Sequence, residues 1–222
     1  MQWGAPVTEN FDTNTGRWYV YNYPKTPPRR SSGLTSIAGG VLRLRGETGP
    51  GGVDIGSGVS DRSFHQKYGR WEARFRVTPG AGFGVAILLW PENNSLWPED
   101  GEVDLVEIPA ADRQKAIHSI HNGPDNLRLQ HGLTADFTTW HTVAVDWLPN
   151  GLTYYLDGTP TWQITLPALI PSTGPLHMTL QLDECAPEMY HGFIPCRTDG
   201  SASAGVELQV DWVKVYPPPP NL

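Results

Sequence analysis

Five carboxylates fall within nine residues of the sequence: Glu99, Asp100, Glu102, Asp104 and Glu107. A run of acids is ordinarily a solvated loop. From Glu102 onward, however, the acids alternate with Val103, Leu105 and Val106, the pattern of a β-strand with an apolar face. Glu102 and Asp104 would share one face, about 6.6 Å apart along the strand. In a regular strand Glu107 would point the other way, into the core, where an unpaired carboxylate costs several kcal/mol. One extra residue at Leu105–Val106, a β-bulge, returns it to the face of the other two. Three acids on one surface push each other's pKa values apart, leaving a protonated acid beside an ionised base. That division of labour suits cleavage of a glycosidic bond.

The elements that must hold these acids read as strands. Arg70 to Val77 and Thr142 to Trp147 alternate apolar and polar positions, and Gly84 to Trp90 is a short continuous apolar run. Tyr154-Tyr155-Leu156 before Asp157-Gly158 is a hairpin signal. Val206 to Tyr216 reads as a closing strand, and Pro217 to Pro220 ends the structure as an extended tail. The 24 Gly and 21 Pro are spread along the whole chain, as turns between short strands require. No window shows helical periodicity, and the polar segment from Asp125 to Thr139 reads as a long loop. The expected architecture is all-β: two stacked antiparallel sheets, a sandwich or jelly roll with a concave cleft, formed by one domain over 1–216 with a proline-rich tail at 217–222.

A formal charge of −7, with no basic run longer than Arg29-Arg30, argues against nucleic acid as a partner. No stretch approaches 18 apolar residues, so no membrane span is expected. Nine Trp and eight Tyr are rich for 222 residues; they either pack the core or line a sugar cleft. Cys185 and Cys196 are too few for a zinc site and read as a loop-stapling disulfide, which points to an oxidising compartment. The expected location is therefore extracellular, with a signal peptide absent from this sequence.

Glu102-Val103-Asp104-Leu105-Val106-Glu107 resembles the catalytic strand of glycoside hydrolase family 16, the laminarinase and β-glucanase family, in its bulged Glu-x-Asp-x-x-Glu form. Further segments match in order: KYGRWEARFRV (67–77), GFGVAILLWP (82–91), WHTVAVDWLPNGLTYYLDG (140–158) and VDWVKVY (210–216). The resemblance implies a concanavalin A-like jelly roll and a retaining endo-glycosidase acting on a polysaccharide, most often a β-1,3- or mixed-linkage glucan. It implies Glu102 as nucleophile, Asp104 as assisting acid and Glu107 as general acid/base, with carboxyls about 5–5.5 Å apart. It places Trp90 and Trp97 beside the sugar, core packing being the alternative for each, and it offers His121 as a cleft-facing group. His118 and His121 would face opposite ways, so only one reaches the cleft. Gln181 stands where relatives carry Asn, and Asp183-Glu184-Cys185 departs from the family pattern there, which leaves the substrate open. Asp211 matches a position that in relatives helps bind a structural calcium, a solvated Asp being the alternative. Glu72 is more simply an ion-pair partner of Arg74 on a strand face.

Two other readings share these residues. A lectin-like binding sandwich needs the aromatics but not three acids on one face. A transglycosylase, or a hydrolase of galactans or bacterial exopolysaccharide, would use the same site. Catalysis requires no cofactor, and the expected state is a monomer.

Overall fold

The computed structural model describes residues 3–13, 16–198 and 205–220. The strands run in chain order as β1 (Val7–Glu9), β2 (Trp18–Val20), β3 (Thr35–Ala38), β4 (Val41–Thr48), β5 (Asp54–Ile55), β6 (Ser57–Asp61), β7 (Gly69–Val77) and β8 (Phe83–Pro91). They continue as β9 (Glu102–Ile108), β10 (Lys115–Asn122), β11 (Leu127–Thr134), β12 (His141–Leu148), β13 (Gly151–Leu156), β14 (Thr159–Ile164), β15 (Leu176–Glu184) and β16 (Val206–Tyr216). One sheet has the order β14-β13-β12-β7-β16-β4-β3, with β1 paired to β16 and β5 to β4. The other has the order β11-β10-β9-β8-β15-β6-β2. All named pairings are antiparallel, and the two sheets stack as an all-β jelly roll.

Alternation decides which face of each strand is buried. In β7, Trp71, Ala73, Phe75 and Val77 point inward with at most 1% exposure, and in β15 Leu176, Met178, Leu180 and Leu182 do the same. These meet Trp147, Tyr154, Ile87, Leu89, Val103 and Ile120 in one core between the sheets. Each fully buried aliphatic or aromatic side chain contributes roughly 1.5–3 kcal/mol. The Asp157-Gly158 turn adopts φ values of 50° and 78°, as the hairpin signal requires.

The segment from 125 to 139 differs from expectation, because its middle is the strand β11, fully registered on β10 from Lys115↔Thr134 to Asn122↔Leu127. Leu127, Leu129 and Leu133 alternate with Arg128, Gln130 and Gly132, a strand pattern masked by the polar residues on either side. As the sheet's edge strand, β11 stays largely solvated, with Leu127 45% and Leu129 48% exposed. The outward face of the other sheet carries an ion-pair lattice. There Glu72 pairs with Arg70 at 2.7 Å, not with Arg74, and the Tyr216 hydroxyl donates to its other oxygen at 3.0 Å.

Cys185 and Cys196 form a disulfide that closes the loop following β15. Loop-closure entropy for so short a ring gives about 2–3 kcal/mol. Cys196→Ser is expected to lower Tm by about 5–10 °C in a thermal melt; an unchanged Tm would show that the staple does not constrain the unfolded chain.

Candidate active site

The bulge lies in β9 where the sequence spacing demands it. Opposite β8, Ile87 pairs with Val106 and Leu88 with Asp104, which leaves Leu105 without a partner. Opposite β10, Ile117 pairs with Glu107 and Ser119 with Asp104. Leu105 and Val106 therefore both enter the core with no exposure, while Glu102, Asp104 and Glu107 share the outward face. The polypeptide reaches this strand through Gly101, whose φ is 87° and where a Cβ would meet the Pro171 ring at 2.6 Å. No other residue type fits that approach.

A bulge strands a backbone carbonyl, and His118 supplies the partner. Its Nδ1 lies 2.6 Å from the Leu105 carbonyl and its Nε2 lies 2.8 Å from the Thr161 hydroxyl. The carbonyl can only accept, so Nδ1 carries the proton and Nε2 accepts from Thr161. Burial lowers the His118 pKa to about 4, so the ring is neutral at working pH.

Although its residues point away from the core, the face bearing the acids is recessed: Leu88 is 4%, Thr179 1% and Asp104 2% exposed. Water is thereby thinned around the acids, and burial is the first cause of every carboxyl shift among them. Asp104 is raised well above the usual carboxylate range by burial and then by the charges of Glu102 and Glu107. Its side-chain hydrogen bond with Glu102 pushes in the same direction, so of the two it is Asp104 that the contact favours as proton donor. Burial pushes Glu102 up to about 7 and the Glu107 charge adds to it, against the Trp97 indole Nε1–H, donating at 2.7 Å, and Asp104, which both favour its ionised form. Glu107 is also raised by burial, opposed by the Ser119 hydroxyl and the Arg128 charge. Gln130 Nε2 donates to Ser119 Oγ at 3.1 Å, which leaves the serine proton free for Glu107. The site thus holds two glutamates that burial pushes toward their protonated forms, each met by two groups that favour its ionised form.

Residues 31–183 match the family described as Glycosyl hydrolases family 16. The chain belongs to glycosyl hydrolase family 16. Among curated family relatives, it is 26% identical over 226 residues to the endo-1,3-1,4-beta-glycanase ExsH of Rhizobium meliloti, covering 96% of this chain and 46% of that protein. It is 25% identical over 231 residues to a keratan-sulfate endo-1,4-beta-galactosidase of Sphingobacterium multivorum, covering 92% of this chain and 50% of that protein. The chain thus spans half or less of the length of these relatives. The laminarinase structure from Rhodothermus marinus superposes with a TM-score of 0.80 over 97% of both chains at 18% identity, a likeness of fold.

The other candidate residues of this family 16 chain divide. Trp90 and Trp97 stack on each other, with centroids 5.8 Å apart and planes at 14°, on the acid-bearing side and outside the core cluster. His121 lies opposite Glu102 in the register, 6.3 Å from the Trp97 ring, with Nδ1–H donating to Asn126 Oδ1 at 2.8 Å. Gln181 shares the face from β15, level with Ala86 and Gly58. Asp211 does not join them. It sits where the β16–β7 register slips, and the Arg74 guanidinium takes its carboxylate. No three His, Cys, Asp or Glu side chains form a metal-holding group among the described residues.

Sequence spacing alone gave no reason to single out Ser119, Gln130 or Arg128. Ser119 was within reach of inference, because a strand that places His121 opposite Glu102 must place Ser119 opposite Asp104. Gln130 and Arg128 lie on the edge strand, in a segment whose polar composition reads as a loop.

These contacts fix the direction of two pH shifts. Ser119 donates to the ionised form of Glu107, so Ser119→Ala raises that pKa and moves the alkaline limb of kcat/KM upward. Trp97→Phe removes a donor to ionised Glu102, so the acid limb rises instead. Profiles of the two variants on one substrate would check this, and limbs that stay in place or exchange would contradict it.

Proposed function

We propose that the chain is a retaining endo-acting β-glycanase that cuts internal bonds of a β-1,3- or mixed-linkage glucan by double displacement. The observation that carries this reading is the bulged strand, which sets Glu102, Asp104 and Glu107 on one recessed face with Asp104 between the two glutamates. Ionised Glu102 attacks the anomeric carbon while Glu107 gives its proton to the departing glycosidic oxygen, and a glycosyl ester forms on Glu102. Glu107, now ionised, takes a proton from water, and the water oxygen displaces the ester from the opposite face. Asp104 keeps its proton throughout and holds the Glu102 carboxylate in place.

The names of relatives favour glucan: an endo-1,3-1,4-beta-glycanase in Rhizobium meliloti and a glucan endo-1,3-beta-glucosidase in Cryptopygus antarcticus. A lectin-like sandwich gives no reason to bury three acids together, at a cost that only chemistry repays. The partner is a polysaccharide and neither nucleic acid nor membrane, the protein acts as a monomer without a cofactor, and the disulfide suits an extracellular setting. Aromatic faces at Trp90 and Trp97 meet the sugar beside Glu102, with His121 and Gln181 as polar contacts.

Proton NMR of the first products from laminarin or lichenan is expected to show the β-anomer before mutarotation. An α-anomer as first product would mean inversion and would contradict the assignment of Glu102 as nucleophile.

A further inference from the structure

The strand bearing the acids is off-centre in its sheet. Two strands lie beyond β9 toward β11, and four lie beyond it toward β2. At about 4.8 Å per strand, the floor extends roughly 19 Å one way and about 10 Å the other. The register carries the acid-bearing face across the long side. Asp104, Leu88, Thr179, Ser60 and Tyr19 form one row. The next row runs Glu107, Ala86, Gln181 and Gly58, and the Tyr21 amide donates to the Gly58 carbonyl at 3.0 Å.

Tyr19 and Tyr21 therefore stand on the same face as the acids, at its far end. A Cβ on Gly58 would meet the Tyr21 ring at 2.8 Å, so the glycine is what lets that ring lie across β6. Tyr19 meets Tyr21 edge-on, with centroids 5.6 Å apart, and is 40% exposed. Tyrosines that only closed the sheet edge would be packed away; Tyr19 is left open.

Charge at this end is distributed unevenly. Arg17 is held by Asp61 and Arg30 by Asp183, each pair at 2.5 Å and nearly buried. Arg62 lies with its guanidinium 4.2 Å from the Tyr19 ring centroid and has no carboxylate partner among the described residues. A cation thus sits over an open aromatic ring on a protein whose net charge is −7.

We propose that the β2 end of the cleft is a distal subsite for an acidic substituent on the glycan, with Tyr19 and Tyr21 taking sugar faces and Arg62 taking the anion. The substituent is a carboxylate or a sulfate ester; both present oxygens to the guanidinium fork. The assignment rests on the glycanase reading of the cleft and deepens it, by making the substrate a substituted chain long enough to reach β2 from the cleaved bond. The protein's global charge repels a polyanion, so any preference for one must be local.

The test uses Glu102→Gln, a chain that binds without turnover. Its affinity is measured for laminarin and for carboxymethylated and sulfated laminarin of matched length. At low salt the charged polymers are expected to bind several-fold more tightly than the neutral one, and high salt should remove the difference. Adding Arg62→Gln should bring the ratio of charged to neutral affinity close to one, whereas Arg62→Lys should keep part of it. The better bound of the two charged polymers identifies the anion. The proposal is overturned if neither charged polymer outbinds laminarin, or if Arg62→Gln leaves the ratio where it was. Because no cleavage is read, these outcomes are separate from the catalytic assignment, which fails instead if the unmutated chain releases no product from any bound polymer.

Discussion

The hydrogen bond from His118 to the Leu105 carbonyl holds together the arrangement on which the site depends. A regular strand cannot place residues five apart on one face, so β9 must absorb an extra residue within the core, and its stranded carbonyl must be satisfied there. An unpartnered buried carbonyl would cost about 1–3 kcal/mol. His118 removes that cost from the adjacent strand, with Thr161 of β14 closing the chain of donors across to the other sheet. The core and the site are coupled at this point, because the packing that buries Leu105 and Val106 also turns Glu107 outward.

Electrostatics follows from placement. The trough is recessed enough to make ionisation costly, and each glutamate receives different help. Trp97 and Asp104 oppose the rise at Glu102, and Ser119 and Arg128 oppose it at Glu107. Burial and the charges of Glu102 and Glu107 push Asp104 toward its neutral form, which relieves the repulsion among three acids in a poorly hydrated space. Tyr154, fully buried, ties the Ser119 backbone carbonyl to the core through its hydroxyl at 2.9 Å, so the strand that supplies Glu107's donor is itself anchored.

Alternation made β7, β12 and β16 legible, and a continuous apolar run did so for β8, since each buries a complete apolar face or both faces. The bulge was legible for a sharper reason: without it Glu107 would be an uncompensated charge in the core. β11 was missed although Leu127, Leu129 and Leu133 alternate, because the strand is short of other apolar residues and sits in a polar, mostly solvated segment. The same strand hid Gln130 and Arg128. Asp211 and Glu72 show a different limit. On the outer face of the larger sheet any arginine can reach several acids, and pairing there depends on register, which two residues of spacing cannot reveal. His118 was legible as the histidine facing away from the cleft, but its use at the bulge required knowing which carbonyl lay opposite.

The most direct test of the account is azide rescue on an activated aryl β-glycoside. Glu107→Ala forms the glycosyl-enzyme but lacks a base to complete turnover, and azide needs none, so the expected product is the β-glycosyl azide. Glu102→Ala forms no such intermediate, and azide attacking from the vacated face should give the α-azide. The same anomer from both variants, or no response from either, would contradict the placing of nucleophile and acid on the two ends of one bulged strand.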